Sequence, residues 1–263
     1  MGIIYEPKGK AREYSPLAIN LYGGCNHGCK YCYVPSIFRK GRDQFIEVTE
    51  RKQVIKNLKK EVGQYKNSKV PVMFSFTTDP YNELDQEMQL TRQALEILLE
   101  NKIPVVMLSK AGKPMLRDLD LYKQFGKHIY VGATLTFSNE KDSLNWEPGA
   151  ALPEERYRTL QTLKDEGLIT WASFEPVIDP VQSFMLVKKF IDVIDFYKIG
   201  KLNNYKGLDK QMDWREFLTN CVNYLRPIKK RFYVKNDLVI ESRMSAELTE
   251  DETNKDHYLP EPF

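Results

Sequence analysis

Seven short apolar runs, many of them β-branched, recur along the chain at positions 16–22, 70–76, 104–109, 129–137, 169–174, 193–200 and 231–235. Each is too short for a buried helix and has the length of a strand shielded on both faces. Between them lie stretches with helical periodicity, at 49–65, 86–101, 113–125, 153–166, 180–191 and 214–225. Val54, Leu58 and Val62 recur four residues apart, with Thr49 ahead of them as a candidate cap. Pro153 suits a first helical turn, Glu154 and Glu155 favour its positive end, and Gly167 suits the stop. Strand and helix alternating in this way predict an α/β protein with a parallel sheet and helical crossovers, as a barrel or an open sheet.

Length and composition narrow the class. The 263 residues, 42% of them hydrophobic and 29% charged, suit one soluble α/β domain with a sizeable core. The expected division is an N-terminal extension over 1–14, a barrel over 15–238 and an acidic tail over 239–263. Net charge is only +3, too small to argue for nucleic acid by itself, although basic residues outnumber acidic ones between Lys188 and Lys235. No apolar run approaches the ~20 residues of a membrane span. The start "MGIIYEPKGKAREY" has no signal-peptide core, so a cytoplasmic protein without membrane association is expected. Four cysteines in such a chain read as metal ligands or reactive thiols and not as a disulfide framework.

Three of those cysteines, Cys25, Cys29 and Cys32, fall within "GGCNHGCKYCYVP" at a C-x3-C-x2-C spacing. Cys221 lies far away in a helical stretch and reads as a small buried hydrophobe. Zinc could take Cys25, His27, Cys29 and Cys32, but structural zinc sites usually pair two knuckles across a gap. A [4Fe–4S] cluster held by three cysteines would leave one iron open to a ligand. Gly23, Gly24 and Gly28 suit a loop wrapped tightly around such a group. Polar residues end the remaining strands as well, in "TTDPYNE", "SKAGKP", "TLTFSN", "SFEPVID" and "KIGKLNN". In a parallel sheet these ends share one face, the face where α/β proteins carry their chemistry, although each alone reads equally as a solvated turn.

The cysteine spacing, with an aromatic residue before the last cysteine and a strand ahead of the first, resembles the radical S-adenosylmethionine superfamily. Its flanks "YSPLAINLYGGCNHGCKYCYVP", "FTTDPYNELDQEMQLTRQALEIL", "VVMLSKAGKPMLRDLDLY" and "GATLTF" resemble the spore photoproduct lyase branch more narrowly. The resemblance implies a partial (β/α)6 barrel, a [4Fe–4S] cluster on Cys25, Cys29 and Cys32, and S-adenosylmethionine on the open iron. One-electron cleavage of that cofactor to a 5′-deoxyadenosyl radical, followed by hydrogen abstraction, is the chemistry implied, with an external electron donor of the flavodoxin or ferredoxin type. Tyr31 would lie against the adenine, Thr78 and Asp79 would hold the amino end, and Lys110 would pair with the carboxylate. Thr134 would approach the ribose, Ser173 and Glu175 would line the ribose or adenine, and Tyr33 would relay a radical beside the cluster.

One departure is plain. The lyase places its hydrogen-donor cysteine three residues before the Asp of the second-strand motif, and Phe76 stands there. Phenylalanine has no abstractable S–H, so repair of spore photoproduct itself is not expected. The resemblance still points to nucleic acid or a nucleotide. The same chemistry on a small molecule or peptide, and a non-catalytic metal-binding role, are the alternatives. Lys201, with Lys198, Asn203 and Asn204, ends a strand on the chemical face and is a candidate substrate-binding group. Lys206, Lys210, Arg226, Lys229, Lys230 and Arg231 add basic surface for phosphates. A monomer is expected.

Overall fold

A computed structural model describes residues 2–203, 205 and 207–263, so Asn204 and Lys206 lie outside the described residues. The strands are β1 Ile4–Tyr5, β2 Leu17–Ile19, β3 Tyr22–Gly23, β4 Thr49–Glu50, β5 Val72–Phe74, β6 Val105–Ser109, β7 Ile129–Thr134, β8 Ile169–Phe174, β9 Phe196–Ile199 and β10 Arg231–Val234. Eight of them form one sheet in the order β1-β2-β5-β6-β7-β8-β9-β10, and β3 and β4 pair separately. From β2 to β10 every neighbouring pair in the large sheet is parallel, and only β1 runs antiparallel, against β2. Helices Val54–Glu61, Leu90–Glu100, Leu119–Phe125, Pro153–Asp165, Pro180–Lys189 and Trp214–Leu225 make the crossovers. This is the partial barrel expected from the alternation of runs. Among the described residues no helix is long and apolar enough to cross a membrane.

The pleat divides each strand between two apolar layers. Val105, Met107, Ile129, Val131, Ala172 and Phe174 face the helices in the larger core. Val106, Tyr130, Trp171, Phe196 and Tyr233 turn inward with Tyr14, Ala18 and Met73 and fill the barrel interior. Gly132 makes room for the largest of these: a Cβ there would lie 2.5 Å from the Trp171 backbone oxygen. The indole N–H of Trp171 donates to the Met107 carbonyl at 3.0 Å, satisfying its polar edge.

Because the edge strands β1 and β10 do not pair with each other, the barrel has a seam, and the N-terminal segment fills it. The buried Glu13 carboxylate accepts from the Tyr233 hydroxyl at 2.6 Å and the Asn236 N–H at 3.0 Å. Its backbone carbonyl takes the Lys198 ammonium at 2.7 Å. Of the expected extension over 1–14, residues 2–14 thus contribute an edge strand and the seam. The acidic tail also packs back, through Arg226 to Glu252 at 2.6 Å and through Tyr258 against Phe196. Thr49 does not cap a helix. It pairs with Gly23 in β4, and the helix begins at Val54 after Gln53, because the chain first doubles back to brace the cysteine loop.

Candidate active site

A cavity of about 850 Å³ opens at the C-terminal ends of the parallel strands. That volume lies within the range of ligand sites. Cys25, Cys29 and Cys32 line it, as do Tyr31, Tyr33, Thr78, Asp79, Lys110, Thr134, Ser173 and Glu175. Four strand ends, those of β5, β6, β7 and β8, and the cysteine loop therefore converge on one space. Lys201 is not among the lining residues. Its ammonium pairs with Glu241 at 3.4 Å and lies over the Trp214 ring, on the helix side of the sheet. Lys198 is buried among the rings of Tyr14, Trp171, Phe196 and Tyr233, where burial and then the Lys235 charge lower its pKa to about 7.

Several contacts hold the cysteine loop in shape. Gly24 has φ +82°, and a Cβ there would lie 2.1 Å from the Glu47 carbonyl oxygen, so only glycine fits. The Cys25 N–H donates to the Phe45 carbonyl at 2.8 Å. The Arg42 guanidinium donates to the carbonyls of Cys29 and Cys32 at 2.9 and 3.0 Å, tying both ends of the C-x2-C turn. From below, Gly149 donates to the His27 carbonyl at 3.0 Å, and a Cβ there would lie 2.3 Å from the Asn26 oxygen.

The thiols are free, and burial pushes Cys25 up to about 12 and Cys29 up to about 11. Asp79 adds to the effect at Cys25, whereas Lys110 opposes it at Cys29. Such thiols become thiolates at neutral pH only when a metal takes them. Among the described residues no three His, Cys, Asp or Glu side chains converge on one metal ion. Three cysteines spread along a loop suit a multi-iron cluster, where each binds a different iron. His27 is engaged by Asp79 at 3.5 Å. Cys221 is fully buried in the helix Trp214–Leu225 and does not line the cavity. Cys221→Ala is expected to keep full iron content, at a stability cost of about 1 kcal/mol; iron loss in that variant would make it a ligand.

The candidate cofactor residues divide into two networks. Asp79 accepts from the Ser109 hydroxyl at 2.7 Å, the Tyr81 N–H at 2.9 Å and the Lys110 N–H at 2.8 Å. It therefore braces the end of β6 as well as facing the cavity. Lys110 stands over the Tyr31 ring at 5.5 Å. Burial opposes its charge, but Cys29 and Glu147 outweigh that and raise its pKa. Thr78 accepts from Ser75 through its carbonyl, and the Thr134 carbonyl accepts from Arg156. At the end of β8, Glu175 accepts from the Tyr14 hydroxyl at 2.7 Å and from Lys235 at 2.5 Å, and Tyr14 also bonds Ser173 at 2.8 Å.

Sequence reasoning missed Tyr14, Lys235 and the buried pair Glu147 and Arg156. Glu147 accepts from Arg156 at 2.6 Å, from Thr136 at 3.2 Å, and from the Tyr31 hydroxyl. Burial opposes its charge, but Arg156, Lys110 and the Tyr31 hydroxyl together lower its pKa. "NWEPGA" has only the composition of a turn, so nothing local marks its glutamate.

A chain with this barrel, and three cysteines on the loop leading from its first parallel strand, belongs to the radical S-adenosylmethionine superfamily. The profile described as Radical SAM superfamily matches residues 19–193. The protein is accordingly an enzyme, with a [4Fe–4S] cluster and S-adenosylmethionine as its cofactors. It is similar to an uncharacterised protein of Methanocaldococcus jannaschii, 28% identical over 191 residues covering 70% of each chain. It is also similar to a radical SAM Nalpha-GlyT isomerase of Pseudomonas phage M6, 29% identical over 60% of this chain but 32% of that one. Spore photoproduct lyase complexed with dinucleoside spore photoproduct shares its fold, with a TM-score of 0.67 at 13% identity over 87% of this chain and 78% of the other.

Proposed function

We propose that the enzyme abstracts a hydrogen atom from a nucleotide or nucleic-acid substrate bound in this cavity. The carrying observation is the cavity lining, to which the basic Lys8, Lys10 and Arg42 and the exposed Tyr33 all contribute. Cations for phosphates and an aromatic face for a base are the two elements of single-strand recognition. The fold shared with a lyase that binds a dinucleoside supports the same reading.

Cys25, Cys29 and Cys32 would hold the cluster, and Lys110, Thr78, Asp79, Ser173, Glu175, Thr134 and Tyr31 would surround S-adenosylmethionine. Together the two cofactors supply a strong hydrogen-atom abstractor when an external donor of the flavodoxin or ferredoxin type provides one electron. The chain's own contribution is placement. Lys110 offers a cation to a carboxylate, while Tyr14 and Lys235 orient Glu175 toward the cavity. Phe76 lines the cavity next to Tyr14, their ring centroids 6.0 Å apart, so no thiol faces a substrate from that position. Its reaction is therefore expected to differ from the lyase's hydrogen return.

A fluorescent single-stranded oligonucleotide tests the substrate class. Binding is expected at low salt and should weaken steeply as salt rises, through release of counterions from phosphates. Lys8→Glu should weaken it several-fold and flatten the salt slope. Absence of binding at low salt would leave a small molecule or peptide as the substrate.

A further inference from the structure

Under the cysteine loop lies a charged pair that the proposed chemistry does not use. Glu147 and Arg156 are each at most 2% exposed and are 2.6 Å apart. Ion pairs buried this deeply cost desolvation and are weak contributors to stability, so their position calls for another explanation. The Glu147 carboxylate also takes the hydroxyl of Tyr31, the residue immediately before Cys32. Two residues further on, Gly149 packs directly beneath Asn26 and His27. Trp146, just before Glu147, accepts the Lys30 N–H at 2.8 Å through its carbonyl. The segment 146–149 is thus the floor of the cysteine loop, and Glu147 is its fixed negative charge.

We infer that Glu147 is a positioning residue that locks Tyr31 and, through its charge beneath the loop, keeps the iron–sulfur cluster a strong reductant. Reduction adds one electron to the cluster and oxidises the external donor by one. A nearby carboxylate opposes the added charge, and net charge and hydrogen bonding are the protein's controls on such potentials. Without Glu147, Arg156 and Lys110 would leave a net positive field under the loop. An electron would then enter more easily and leave less readily toward the cofactor. The inference rests on the family's chemistry and not on the identity of the substrate.

The test uses the full chain reconstituted without oxygen, with the midpoint potential read by electron paramagnetic resonance in a mediated titration. Glu147→Gln is expected to retain wild-type iron, to shift the potential positive, and to slow S-adenosylmethionine cleavage by tenfold or more. Glu147→Asp, which keeps the charge, should return the potential toward wild type. Glu147→Gln with wild-type iron, potential and rate would overturn the inference. Should that variant take up no iron, Arg156→Gln is the reverse probe. It leaves the carboxylate uncompensated, so the potential should move negative, and any other result would overturn the inference. Absence of oligonucleotide binding would instead strike the proposed function and leave this inference standing, because the potential is read without substrate.

Discussion

Cys32→Ala should lose most of its iron and cleave S-adenosylmethionine at least about a hundredfold more slowly, beyond what loss of an outer-shell partner normally costs. A cluster held by three cysteines has no spare ligand, and no other described thiol is near enough to substitute, since Cys221 is sealed in its helix. The fold should survive. Arg42 grips the loop through the Cys29 and Cys32 carbonyls and not through a side chain that the substitution removes. Gly149 supports the loop from the other side through the His27 carbonyl. Thermal unfolding of the iron-free protein should therefore be close to that of the iron-free wild type. The checks are iron analysis and 5′-deoxyadenosine by chromatography. Undiminished cleavage in Cys32→Ala would remove the cysteine loop from the chemistry altogether.

The strands were legible because parallel strands buried on both faces must be continuous apolar runs, and each run contains one. Their ends were less so. β2 stops at Ile19, since the Asn20 side chain turns to accept the N–H groups of Phe76 and Thr77 and joins two loops at the cavity. Such a role depends on residues more than fifty positions away. The antiparallel pair of β3 and β4, two residues per strand, has no periodicity to detect. The site candidates came from a different rule, that strand ends share a face. The rule locates a residue along the strand axis but does not say which way it points. Lys198 turns into the barrel while its neighbour Ile199 faces the helices, and Lys201, just past the strand, turns outward to Glu241. Arg156 sits in a charged helix whose sequence reads as solvated, yet it is buried because Glu147, arriving from a turn, neutralises it there. Buried ion pairs are tertiary facts, and neither partner's local sequence carries them.

Asp79→Ala is expected to damage the protein in two separable ways. The carboxylate is the shared acceptor for the Ser109 hydroxyl, the Tyr81 N–H and the Lys110 N–H, all at the mouth of the barrel. Alanine would leave these donors without an acceptor in a site that is 6% exposed, at a cost of roughly 3–5 kcal/mol. That corresponds to a fall in Tm of roughly 10 °C for a chain of this size. The same change removes the anion that faces His27 at 3.5 Å and frees the end of β6, from which Lys110 reaches over Tyr31. Affinity for S-adenosylmethionine should therefore fall at least tenfold, while the cysteine loop, held by Arg42 and Gly149, still takes up iron. Asp79→Asn separates the two effects. It preserves one carbonyl acceptor and the side chain's volume, so it should recover much of the lost stability, but it cannot restore the negative charge. A variant that regains stability while still binding the cofactor weakly would show that the charge acts on the cofactor. Full recovery of both would confine Asp79 to bracing the strand ends, leaving Lys110 as the site's contact to an amino-acid cofactor.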